Sequence, residues 1–299
     1  MTERHGQATA RAQIAAAALL FSTGGAAIKA TALGAWQVAG IRSAIAFVFL
    51  VAVLPAARRG WTWATLLVGM AYGGTMVLFV TANKLTTAAS SIFLQSAAPL
   101  YLLPLSPWLL REPIRRRDFA FLAALAGGMA MFFLGTEAPR QSAPNPLLGN
   151  WVAVASGATW ALTIAGMRWM AKHGASGGGA ASALAAGNLI AASVCLPMAL
   201  PIGHFTAADA ATLGYLGVVQ IGLAYLFFSN GLKRLPALEV SLLVLLEPVL
   251  NPVWAWIFQG ERPSAWAIGG GLTILTATAV RTLLHEDAAA DPERPEPAI

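Results

Sequence analysis

Apolar stretches of about 20 residues follow one another down this chain, separated by short joints where most of its charges collect. A stretch of that length crosses a bilayer core as a helix. Lipid offers no hydrogen bonds, so each stretch must satisfy its own backbone. Hydrophobic residues make up 57% of the sequence and charged residues 11%, against about a quarter charged in soluble domains. The fold class expected is therefore an all-α integral membrane protein. Ten spans are expected, near 12–31, 35–55, 62–82, 88–109, 118–135, 148–171, 179–199, 210–231, 237–258 and 264–284. The start, MTERHGQATARAQIAAAALLFSTGG, loosely resembles a signal peptide, but its apolar run is too long and nine similar ones follow; it reads as a retained first span.

The same composition excludes several functions. A lone cysteine, Cys195, cannot form a disulfide framework, and His5, His173, His204 and His285 lie at termini or span ends. No metal site and no cofactor are expected. The net charge of +6 follows membrane topology, and no nucleic-acid partner is implied. With both termini cytoplasmic, the inner segments hold fourteen Lys and Arg residues and the outer ones only Lys84, Arg140 and Arg262. That asymmetry sets the orientation, and a bacterial inner membrane is the expected location. The joint EAPRQSAPNP, 137–146, reads as a linker between halves, and the acidic, Pro-rich tail from Glu286 reads as disordered.

Shifted by 149 positions, LQSAAPLYLLPLSPWLLRE (94–112) falls on LVLLEPVLNPVWAWIFQGE (243–261): Pro99 meets Pro248, Glu112 meets Glu261, and upstream Lys84 meets Lys233. With a different shift, FSTGGAAIK (21–29) resembles WALTIAGMR (160–168), an aromatic with a cation eight residues later. These matches keep their order within two five-span halves, which argues for duplication. Five is odd, so the second half enters the membrane inverted, an architecture that places a carrier's site near midplane between repeats. The expectation is ten transmembrane helices as two inverted five-helix repeats, 1–146 and 147–299.

The paired halves resemble EamA domains of the drug/metabolite transporter superfamily. The likeness lies in FSTGGAAIK…WQVAGIRSAIA, with Lys29 and then Arg42 heading the second helix, and in the Pro followed by a terminal Glu in each fourth helix. Phe21 stands where that family often has Trp. The resemblance covers 12–284 and implies export of small metabolites. By overall likeness the chain looks most similar to the bacterial exporters of aromatic amino acids.

Candidate substrate-binding residues are those that are polar or aromatic inside spans. Glu247 lies ten residues into its span, ~15 Å at ~1.5 Å per residue, hence near midplane. It shares a face with Asn251 and Trp254, and Pro248 frees the Val244 carbonyl. A charge there costs roughly 2.5–3.5 kcal/mol on insertion scales, so it must face protein or water. Glu247 either lines a cavity, where it is a candidate proton carrier, or pairs with Lys29 or Arg42 as a structural lock. Lys29 and Arg168 are expected to snorkel to opposite surfaces. Arg42, ~10 Å below its helix start at ~1.5 Å per residue, is the spare cation that can meet a substrate carboxylate. Gln95 and Tyr101 in the fourth span, Tyr72 in the third, and Trp160 and Thr163 in the sixth complete the set. Tyr215, Gln220, Tyr225 and Asn230 in the eighth span fall on no single helical stripe. Trp61, Trp63, Trp151, Trp169 and Trp266 read as interface belt, and Gly69 and Gly73 as a packing motif within the protomer or at a dimer contact.

The function expected is a secondary transporter working by alternating access, with amino acids, aromatic ones first, as substrates; the alternative is a drug or other organic-solute exporter of the same fold. The absence of HExxH, GxSxG or an in-span histidine argues against an intramembrane enzyme, and the absence of charge rings or filter loops argues against a channel. Partners are a small-molecule substrate and the lipid bilayer, as monomer or homodimer.

Overall fold

The computed structural model describes residues 2–109, 111, 114, 116–173 and 179–290. Glu112, Arg115 and Arg294 lie outside the described residues, so the Glu112 side of the repeat match has no structural counterpart here. Among the described residues there is no strand, only one bridge between Arg140 and Ala143 in the linker. Nine helical stretches are long and apolar enough to cross a membrane. The expected fifth span is instead a shorter apolar helix, Asp118–Leu134, because three arginines precede it and Gly135 ends it. Ten spans of full length are thus not found.

Three of the spans are broken. The first comprises α1 (Thr2–Ser22) and α2 (Gly24–Lys29), interrupted at Thr23. Ser22 and Thr23 donate their hydroxyls to the carbonyls of Leu19 and Leu20, both at 2.7 Å, competing with the backbone ladder. After α3 (Ala35–Val53) and α4 (Trp63–Leu85), the next span comprises α5 (Ala88–Ser96) and α6 (Pro99–Leu109). Pro99 lacks an N–H and disfavours the α region in the residue before it, so the chain tightens at Ala97 and Ala98. The Leu245 N–H turns back to the Leu242 carbonyl where α12 (Ala237–Val244) gives way to α13 (Leu246–Gln259), three residues before Pro248. Both breaks precede their paired prolines by one to three residues.

The remaining elements are α7 (Arg116–Leu134), α8 (Pro146–Lys172), α9 (Gly179–Met198), α10 (Ala207–Gly214), a π-helical stretch Tyr215–Leu223, α11 (Ala224–Leu232) and α14 (Ala265–Ala290). α14 runs on through the start of the acidic tail, so the disorder expected from Glu286 does not begin there; 291–299 lie outside the described residues.

Two ends are distinguishable. The linker end gathers 30–34, 83–87, 137–145 and 259–261: the Asn145 N–H bonds the Leu85 carbonyl, and Thr31 bonds Asp209. At the other end, near the termini, Arg11 pairs with Glu239 and Arg281 with Asp118. Between them α4 packs on α8 and α9, α3 on α9 and on the π-helical stretch, α1 on α11, α12 and α13, and α14 on α7. The Gly69 and Gly73 motif works inside the protomer. A methyl on Gly73 would sit 2.7 Å from the Gly187 carbonyl of α9, and one on Gly187 would sit 2.6 Å from both the Gly69 carbonyl and the Tyr72 ring. Close approach of backbones is what small residues permit.

Gly187→Ala is expected to destabilise the protein by roughly 1–3 kcal/mol, because backbone cannot give way. Gly127→Ala, with nothing within 4 Å of the added methyl, should be neutral or stabilise by about 0.5–1 kcal/mol. Thermal unfolding of the two purified variants checks the contrast.

Candidate functional site

Helix α1 breaks where FSTGG places two hydroxyls before two glycines, and the second half of the chain supplies partners for the break. The Gln220 side chain donates to the Phe21 carbonyl at 3.3 Å, Trp254 Nε1 donates to Ser22 Oγ at 2.9 Å, and Thr23 shares a hydrogen bond with the Tyr215 hydroxyl at 2.7 Å. The Phe21 ring meets the edge of Tyr225 with centroids 5.0 Å apart. Tyr215, Gln220 and Tyr225 therefore all face one short segment. They lie five residues apart, the spacing at which a π-helix closes its i→i+5 bonds. The 3.6-residue period hid this face because Tyr215 and Gln220 lie in a π-helical stretch, with Tyr225 just beyond it at the start of α11.

Next to this break is a cluster of aromatic and polar groups. Tyr72 of α4 lies 6.0 Å from Tyr225 and 6.5 Å from Trp160 of α8, centroid to centroid. Leu50, Leu184, Met76 and Met167 pack around them. Arg42 of α3 is 1% exposed and lies near Tyr72 and Tyr225. Its Nη2 donates to the Met76 carbonyl at 3.2 Å, and its Nε has no hydrogen-bond partner. Among the described residues no carboxylate forms an ion pair with it. The Tyr72 hydroxyl points toward Tyr225 and Asn188 without completing a hydrogen bond, and Ser43 Oγ and Asn188 Oδ1 are likewise buried and unpartnered. Glu247 of α13 lies near Tyr225 and forms no ion pair or hydrogen bond among the described residues. The neighbourhood of Tyr225 thus holds a guanidinium and a carboxyl, neither of them in an ion pair. Buried polar groups are ordinarily bonded; so many orphans in one place mark a site built for something else.

Of the expected residues, Arg42, Tyr72 and Trp160 come together here, with Glu247 near Tyr225. Asn251 is fully buried on α13 with neither amide atom bonded, and its oxygen faces Gly25, where a methyl would lie 2.6 Å away. Gln95 is spent holding α5 to α8 through Ser156 at 2.8 Å. Thr163 donates to the Thr159 carbonyl of its own helix at 2.9 Å, and Tyr101 packs at the edge of the main apolar core. Sequence reasoning passed over Ser43 and Asn188; an amide in the middle of the apolar α9 was the available signal.

The lock expected of Glu247 exists, but with other partners. Lys29 pairs with Glu261 at 3.0 Å, both side chains 4% exposed. Lys29 also donates to the Thr86 and Ser142 carbonyls, while Glu261 accepts from the Ala88 N–H at the head of α5 at 2.9 Å. It does not snorkel. Gly260, at φ 66°, ends α13 in the left-handed region, and this turns Glu261 back under the linker end. Glu247, two α13 turns and more below, cannot reach the same lysine.

These features define a polytopic helical membrane protein with ionisable groups sealed inside its spans, as solute carriers have. The sequence profile of the EamA-like transporter family matches residues 11–134 and 147–283. The chain belongs to that family, within the drug/metabolite transporter superfamily: a multi-pass membrane transporter of small solutes, in a family of transporters rather than enzymes. A solved crystal structure, described only as that of a protein, superposes with a TM-score of 0.62 at 21% identity over 93% of this chain and 98% of its own, which shows a shared fold. No curated protein matches.

Removing one partner of a buried pair strands the other, at a cost of ~3–5 kcal/mol. Lys29→Met and Glu261→Gln should each lower the thermal midpoint strongly, and Lys29→Met/Glu261→Met should recover much of the loss. Unfolding curves of the three variants check this.

Proposed function

We propose that this transporter exports zwitterionic amino acids, aromatic ones first, across a bacterial inner membrane by alternating access. The observation that carries the reading is Arg42, a fully buried cation without a counter-charge among the described residues. A substrate carboxylate would supply that charge, and a bidentate guanidinium–carboxylate contact gains strength where water is excluded. Glu247, near Tyr225, is then the partner for the substrate ammonium. Tyr72, Tyr225, Trp160 and Phe21 offer edges and faces to an aromatic side chain. Asn251, with both amide atoms free, and Asn188 are the further polar contacts; Gln95, Tyr101 and Thr163 hold the helices that carry the site.

Two inverted five-helix repeats fit the packing. If each element is advanced to its counterpart in the other half, contact pairs exchange: α4 on α8 becomes α11 on α1, and α5 with α6 on α8 becomes α12 with α13 on α1. Pairs on the axis, such as α7 with α14, map onto themselves. In this reading the shorter helix α7 makes the tenth crossing. The termini and most cations lie in the cytoplasm, and the linker end faces outward, closed by the Lys29–Glu261 pair. Alternating access then consists of rocking that opens one end as the other closes, about broken helices that already lack a continuous hydrogen-bond ladder.

Purified protein in liposomes should take up labelled phenylalanine saturably and exchange it for unlabelled phenylalanine. Arg42→Ala should lower kcat/KM about tenfold to hundredfold, the value of a charge-assisted hydrogen bond. It should also lose any preference for phenylalanine over phenylalaninamide. Unchanged affinity for the carboxylate substrate in Arg42→Ala would remove this reading.

A further inference from the structure

At the linker end lies a cavity of about 660 Å³, lined by Lys29, Thr31, Lys84, Arg140, Ser142 and Gln259 among others. Three of its lining side chains are cationic and none is acidic. The nearby acids are engaged outside that lining. Glu261 takes Lys29, Glu137 lies 3.2 Å from Arg140, and Asp209 is held by Thr31 and by Thr206 at the head of α10. The cavity thus presents cations to its interior, and a concave low-dielectric wall focuses that potential.

The cations differ in what they have left to give. Lys29 is saturated by Glu261, the Thr86 carbonyl and the Ser142 carbonyl. Lys84 makes one hydrogen bond, to the Thr31 carbonyl at 2.6 Å, and among the described residues no carboxylate forms an ion pair with it. An ammonium has three donors, so two of its N–H bonds are uncommitted. Arg140 Nη2 lies 3.2 Å from the Glu137 carboxylate, while its Nε is buried without a hydrogen bond. A half-buried lysine and an incompletely bonded arginine on the wall of one cavity form an anion site.

We propose that this cavity binds the carboxylate of a small organic acid, with Lys84 as its anchor and Arg140 as its second donor, above a floor formed by the Lys29–Glu261 pair. If the linker end faces outward, as in the function proposed above, this is a release subsite: a solute leaving Arg42 meets a second cation before reaching open water. The binding itself does not depend on that direction.

The test is a calorimetric titration of the purified protein in phosphatidylcholine nanodiscs with benzoate, and with benzamide as its uncharged match. It is made in the Arg42→Ala background so that the midplane cation contributes nothing; removal of an unpaired buried charge leaves no stranded partner. Benzoate should bind saturably at one site and benzamide should not. Adding Lys84→Gln should weaken benzoate at least about tenfold, as loss of a charged hydrogen bond does, and adding Lys84→Arg should preserve it. No saturable benzoate binding in the Arg42→Ala protein, or equal binding with Lys84→Gln, overturns the subsite while leaving the midplane reading intact. Benzoate binding that depends on Lys84, together with failure of the unsubstituted protein to move phenylalanine, would overturn the midplane reading and leave this one standing.

Discussion

A bilayer core has nothing to offer a free N–H or C=O, so a transmembrane helix can be interrupted only where protein takes over the freed groups. That constraint organises this molecule. The first span breaks at Thr23, and the side chains that meet the break, Gln220, Trp254 and Tyr215, all come from the second half of the chain. Gln259 adds a fourth contact, to the Ala26 carbonyl at 3.0 Å. The two halves are therefore joined through the irregular backbone of α1 and α2. Any motion of one half against the other must exchange these hydrogen bonds.

Charge inside the spans is handled in two contrasting ways. At the linker end the Lys29–Glu261 pair is buried, with backbone groups of Thr86, Ser142 and Ala88 supplying further hydrogen bonds. Such a pair fixes geometry more than it adds stability. Deeper in, Arg42 and Glu247 both lie near Tyr225 and form no ion pair with each other. A protein needing only to hold its helices together would have paired them or replaced them with apolar side chains. Two such charges beside one aromatic cluster suit a ligand that carries both.

Much of this was legible in the residues, and what was hidden had local causes. The apolar runs foretold the helices, and the paired prolines foretold both mid-span breaks, since a missing N–H acts whatever surrounds it. FSTGG foretold less than it held: its hydroxyls announce a weak ladder, but the partners lie some 200 positions away. Tyr215, Gln220 and Tyr225 were invisible as a face because the chain from Tyr215 to Leu223, between them, is wound as a π-helix, which no amphipathic period reveals. Glu261 looked like a span-end charge until the left-handed Gly260 turned it inward. The continuation of α14 to Ala290 was misjudged at a segment end, where helix limits depend on neighbours more than on composition.

The central claim is that Arg42 lacks a protein counter-charge because a substrate carboxylate provides it. A cryo-electron microscopy structure in lipid nanodiscs with saturating phenylalanine tests it most directly. The account predicts density for the ligand between α3 and α11, its carboxylate within hydrogen-bond distance of the Arg42 guanidinium and its ring against Tyr72 or Tyr225. Ligand found elsewhere, with Arg42 still bonded only to the Met76 carbonyl and sealed by packed side chains, would contradict it.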